Sequence, residues 1–202
     1  MSSAAQWTFA VGPWNPAAIV CDVNAAHSRT VTFNLTDNSE ASFTIDGRDP
    51  SCRDIVELST DLYVYWRQRA DLRGSLLYRG RIGKSSDVLD ADGHSVTVPS
   101  VDYRCLLRRR LLMHGARQRW DNTDQAHIAW DLIQQAQQRT GGDMGIRAGH
   151  VATGVRRDRS YELGSSIGEK IQELSEVING FDWDITATDT DSLGLQLDVW
   201  HP

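Results

Sequence analysis

The stretch Asp61–Leu112 reads DLYVYWRQRADLRGSLLYRGRIGKSSDVLDADGHSVTVPSVDYRCLLRRRLL, and its periodicity decides the fold class. Leu62, Val64 and Trp66 alternate with Tyr63, Tyr65 and Arg67. That period of two sends successive side chains to opposite faces of a strand. Leu76–Asp87 and Ser95–Leu107 flank Asp92-Gly93, a dipeptide that accepts the positive φ values of a tight hairpin, so both runs are expected to be strands. Two elements carry arginine, Tyr78-Arg79-Gly80-Arg81 and Asp102-Tyr103-Arg104-Cys105-Leu106-Leu107-Arg108-Arg109. Neither is built for catalysis.

Upstream the same period continues. Val31, Phe33 and Leu35 alternate with polar residues, Thr36–Glu40 is rich in turn formers, and Ala41, Phe43 and Ile45 alternate again. This predicts a hairpin over 29–46. Pro13, Pro16 and Pro50 fall in connections, where a missing N–H breaks no ladder.

Downstream the period lengthens. Asn122-Thr123-Asp124-Gln125 resembles a capping box before a helix with Ile128, Leu132, Ile133 and Ala136 on one side, stopped by Gly141-Gly142. Ser166-Ile167-Gly168-Glu169 opens a second helix striped by Ile167, Ile171, Leu174 and Ile178 and ended by Gly180. Trp183 and Ile185, then Leu195, Leu197 and Val199, alternate as a closing hairpin around Thr188–Ser192. The glycine-rich 141–164 reads as a mobile loop. The fold class is therefore α+β, mostly β. An N-terminal antiparallel β-barrel-like domain over 1–114 precedes a smaller α+β domain over 115–202, with two helices and the closing hairpin.

Composition bounds the function. Of 202 residues 24% are charged and 40% hydrophobic, ordinary values for a globular chain. No apolar run approaches the roughly 18–20 residues of a membrane helix, so no membrane insertion is expected. The start, MSSAAQWTFA, lacks the basic and then apolar segments of a secretory leader. Cys21, Cys52 and Cys105 are isolated and odd in number, which fits reduced thiols in or near a core rather than a disulfide or zinc framework. A net charge of −6 argues against a dedicated nucleic-acid binder.

The chemical motifs fail on spacing. A calcium loop aligned on Gly93 needs an acid at 88 and a glutamate at 99, where Val88 and Pro99 stand. Gly164–Lys170 has too short a glycine spacing for a phosphate loop, and Glu169 stands where it would repel phosphate. Asp182 and Asp184 share a strand face and could serve as an acid/base pair or a weak cation site, although alternating acids are more often a solvated face. Six scattered histidines and no GxSxG elbow complete the survey. No enzyme activity, cofactor or metal is expected.

The basic cluster is more informative. Arg104, Arg108, Arg109, Arg110, Arg117 and Arg119 occupy a window in which Asp102 is the one acid. Arginine favours interfaces through bidentate pairing and aromatic stacking, so an acidic surface on a neighbouring copy is a natural partner. Seven tryptophans are many for this length, and Trp7, Trp14 and Trp200 near the termini are candidate interface anchors.

Several short motifs then come in a telling order. Ala41–Gly47, Ile55–Leu62, Tyr78–Arg81 and Asp102–Arg104 are followed by Gly180–Ile185 and the terminal Leu197–Trp200. In this order the chain resembles the minor tail proteins of long non-contractile-tailed phages (siphoviruses), nearest to those of actinobacterial hosts. The resemblance implies a structural virion protein, a baseplate hub at the tail tip assembled in the host cytoplasm. Such hubs form homotrimeric rings below the distal tail protein, close or line the channel for DNA ejection, and support fibres or receptor-binding proteins. The implied partners are further copies of the chain, the distal tail protein, other minor tail proteins or fibres, the tape measure protein, and DNA in passing. Arg104, Arg108, Arg109, Arg110, Trp7, Trp14 and Trp200 are the expected subunit-interface residues. Two other classes stay open: a carbohydrate- or receptor-binding β-module using Trp and Tyr, and, on Asp182 and Asp184 alone, a cell-wall hydrolase.

Overall fold

The computed structural model describes residues 6–35, 37–67, 74–91, 93–189 and 192–201. Asp92 of the predicted turn, Thr36 and Asp191 lie outside them. Eight strands come first: β1 (Gln6–Pro13), β2 (Cys21–Asp22), β3 (His27–Thr32), β4 (Glu40–Asp46), β5 (Thr60–Arg67), β6 (Ser75–Ile82), β7 (Ser86–Asp90) and β8 (Gly93–Val101). Then follow α1 (Tyr103–Arg108), β9 (Arg119–Asp124), α2 (Gln125–Gln137), β10 (Ile146–Ala148) and β11 (Arg156–Ser160). The chain closes with α3 (Ile167–Ser175), β12 (Asp182–Thr188) and β13 (Gly194–Trp200). The chain is α+β and mostly β.

It divides into two compact units, Met1–Asp102 with Ala187–Gly194, and Tyr103–Thr186 with Leu195–Pro202. The division comes earlier than the boundary expected at 114, because Tyr103, Leu107 and Leu112 are buried in the core of the second unit.

In the first unit the strand order is β2-β1-β5-β6-β8-β4-β3, with β7 attached to β8. The sheet is strongly curled. Phe9 of β1 and Phe43 of β4 meet edge to face at 6.1 Å, although three strands separate them in the order. Around this pair Val11, Ile45, Leu62, Val64, Ile82 and Val98 form the inner core. Arg29 of β3 reaches across to the other end of the sheet, donating to the carbonyls of Trp7 (3.2 Å), Val23 and Asn24 (2.9 Å each). No ladder closes the barrel among the described residues, so a side chain bridges the seam. The other face of β5 is buried too: Tyr63 and Tyr65 pack with Ala10 and Leu76, and with Ala187 and Leu193 of the β12–β13 turn region.

Three strand expectations change. The run Ser95–Leu107 is not one strand. Asp102 donates its N–H to the Ser39 carbonyl (3.0 Å) and accepts the Ser39 N–H on its carboxylate (2.6 Å), which fixes the end of β8, and α1 follows. Leu76–Asp87 likewise breaks at 83–85 between β6 and β7. The 29–46 hairpin forms as β3 and β4, but β3 ends at Thr32, leaving Phe33 and Leu35 exposed.

The second unit packs three helices against short sheets. The predicted α2 stripe, Ile128, Leu132, Ile133 and Ala136, is buried. Asp124 caps α2 by accepting from Ala126 N–H at 2.9 Å. Ser166 caps α3 through Glu169 N–H at 3.3 Å. Ile167, Ile171 and Leu174 are buried as expected, whereas Ile178 is exposed because α3 stops at Ser175. The glycine-rich 141–164 contains β10, parallel to β13, and β11, antiparallel to β9.

Candidate assembly surface

The arginines separate into those consumed inside the fold and those left for contact. Arg81 stands directly opposite Asp61 in the β5–β6 ladder, and Asp61 is fully buried. Arg79 Nε and Arg81 Nε each donate to one Asp61 carboxylate oxygen at 2.8 Å. A second nitrogen of each is also used: Arg79 reaches the Trp14 carbonyl (2.8 Å) and Arg81 the Leu58 carbonyl (2.9 Å). Arg81 lies 4.7 Å from the Trp14 ring centroid and Arg79 5.4 Å from that of Tyr63. Tyr78–Arg81 is thus an internal ionic brace, and Trp14 is half-buried against it.

Arg104 is also internal. Only 3% exposed, it sits 3.4 Å from an Asp184 oxygen and 5.7 Å from the Trp183 ring centroid. The one-turn helix α1 turns it inward, which removes it from any surface offered to a neighbour. Asp184 is committed to this contact and to the Ile185 N–H at 2.7 Å. Partial burial raises its carboxyl above the ordinary range against the pull of Arg104. Its sequence neighbour on that face, Asp182, is exposed.

The segment that follows α1 behaves differently. Leu112 N–H donates to the Ser165 carbonyl (2.8 Å), Gly164 N–H to the Leu112 carbonyl (2.7 Å) and Ile167 N–H to the Arg110 carbonyl (2.8 Å). The Ser166 hydroxyl donates to the Arg108 carbonyl at 2.9 Å. These bonds hold 110–112, just past the turn that ends α1, extended beside the start of α3. Alternation then buries Leu112 and turns out Leu111 (48% exposed) and Met113 (51%). Arg108 and Arg110 are half-buried and Arg109 is exposed. Among the described residues the guanidinium groups of Arg109 and Arg110 make no hydrogen bond or ion pair. This short stretch therefore offers cations and apolar side chains together.

Trp7 is 40% exposed and packs at a tilt against its cross-strand neighbour Trp66, ring centroids 4.9 Å apart. Trp200 is 48% exposed at the end of β13. The sequence reading ran β7 together with β6 as Leu76–Asp87 and did not foresee that every residue from Ser86 to Asp90 is exposed. It also missed two organising carboxylates in the second unit. Asp124 binds Thr153 N–H, Thr153 hydroxyl and Gly154 N–H besides capping α2. Burial raises its pKa, but the backbone donors Ala126, Gly154 and Thr153 outweigh that and hold the carboxyl below its ordinary range. Asp198 accepts from His150 N–H (2.9 Å), the Thr186 hydroxyl (2.5 Å) and the Gln196 amide (2.8 Å). Among the described residues no group of three or more His, Cys, Asp or Glu is placed to hold a metal ion.

No protein-family model matches the sequence, and no curated protein matches it. The fold does have solved counterparts. A tail protein from Neisseria meningitidis MC58 superposes with a TM-score of 0.58 at 9% identity, over 94% of this chain and 50% of its own. The 43 kDa tail protein of prophage MuSo2 from Shewanella oneidensis gives 0.57 at 11%, over 96% and 54%. Prophage tail protein gp18 from Listeria monocytogenes EGD-e gives 0.55 at 9%, over 94% and 50%. The chain therefore shares its fold with tail proteins and spans about half their length.

Proposed function

We propose that this chain is a structural subunit of a phage tail, acting at the tail tip as a baseplate hub. The observation that carries the reading is the fold shared with three tail proteins over nearly the whole chain. The order of sequence motifs points the same way independently. In this reading copies of the chain form a threefold ring below the distal tail protein of a siphovirus-like particle, nearest to those of actinobacterial hosts. The ring closes or lines the channel through which DNA passes. It contacts the tape measure protein above and carries other minor tail proteins or fibres, supplied by other chains or by further domains. The interface residues are Arg108, Arg109, Arg110, Trp7 and Trp200, with Trp14 and Arg104 bracing the units from within. Such a role is fulfilled by shape and contact and uses no cofactor.

Antibody labelling of tailed particles tests the reading. Label confined to the end of the tail distal to the head is the expected result. Label on the head, or particles that lack the chain altogether, would contradict it.

A further inference from the structure

We propose that strand β7 of one copy docks on the Arg109–Met113 segment of the next, making the contact head-to-tail; this rests on the ring reading above. Four observations carry the pairing. First, β7 is joined to β8 alone, so its second edge has no strand partner among the described residues. An exposed strand edge is a template for another chain unless something covers it. Second, β7 reads Ser86-Asp87-Val88-Leu89-Asp90 and exposes Val88 by 51% and Leu89 by 78%, between two acids. Third, the receiving segment has the complementary composition, with Arg109 and Arg110 uncommitted beside the outward Leu111 and Met113.

Fourth, the charge is divided between the units. The first unit holds nine Lys and Arg against fifteen Asp and Glu, a net of −6, while the second holds twelve of each. The whole acidic excess thus lies on the unit that bears β7. An acidic, apolar strand and a cationic, apolar segment complement each other and not themselves. A contact between two different patches is heterologous, and repetition closes it into a ring when the rotation allows. Opposite charge steers such an encounter, and the apolar side chains it covers hold it. A second copy is the occupant these features fit, since each copy supplies both halves.

Charge exchange on the full chain tests the contact by sedimentation velocity over a concentration series. Arg109→Glu with Arg110→Glu reverses the receiving side. Ser86→Lys with Asp87→Lys reverses the strand and leaves the Asp90–Gly93 turn bond intact, at the loss of the surface contact between Asp87 and His94. Each pair alone is expected to raise the self-dissociation constant by at least about tenfold, and all four changes together are expected to restore it. All these positions lie outside the buried cores, so the arginine pair should keep the wild-type melting temperature, and Ser86→Lys with Asp87→Lys, which gives up one surface ion pair, should lower it by no more than a few degrees. If the wild type associates but either pair has no effect, or the fourfold variant fails to recover, the β7 contact is wrong and the ring reading survives. A wild type that stays monomeric throughout overturns both.

Discussion

Asp61 shows how one side chain organises the first unit. It pairs with both Arg79 and Arg81 where none of the three reaches water freely. Removing one member of such a cluster leaves uncompensated charge in a low-dielectric interior. Asp61→Asn is therefore expected to lose about 3–5 kcal/mol of stability by urea denaturation. Loss below about 1 kcal/mol would mean the cluster is solvated. Asp124 makes a second prediction, with a definite sign. Its folded pKa is depressed, so its contribution is complete above the unfolded carboxyl value near 4 and fades as pH falls through the folded value. The stability gap between wild type and Asp124→Ala should be flat at about 1 kcal/mol from pH 5 to 8 and should shrink below about pH 4. Denaturant midpoints across that range check it, and a gap that widens in acid would refute the assignment.

At the scale of elements, the close approach of α1 and α3 turns on Gly168. A β-carbon there would stand 2.6 Å from the Arg108 backbone nitrogen, so the helices must separate to admit it. Alanine gains up to about 1 kcal/mol of helix propensity. The packing strain of about 1–3 kcal/mol should exceed that, and Gly168→Ala should lower the melting temperature. An unchanged or higher value would show that the contact is loose. Elements with strong local signals were legible in the sequence. The α2 stripe, the Ser166 cap, the β3–β4 pairing and the closing β12–β13 strands all rest on period and capping chemistry. Where tertiary contacts decide, the sequence reading failed. Nothing local says that the Ser39–Asp102 bonds end β8, that Tyr103 and Leu107 belong to the other core, or that α3 stops before Ile178. The site divides the same way. Arg109 and Arg110 stood out as an arginine cluster with few acids, but the burial of Arg104 under Asp184 and of Arg81 under Trp14 depends on residues 67 or more positions away in sequence. The exposure of β7 was hidden because its residues look like any other strand.

For the whole molecule, two units with unequal charge and separate cores each carry one half of the proposed contact. The first supplies a curled sheet with an uncovered strand edge. The second supplies the cationic, apolar segment. The fold shared with tail proteins, the motif order and these surfaces are what the proposed hub reading rests on. Electron cryo-microscopy of the tail tip tests this most directly. The density should show three copies of the chain around the tail axis, with β7 of each beside Arg109–Met113 of the next. A tail tip without the chain, or one holding it as a single copy off the axis, would contradict the account.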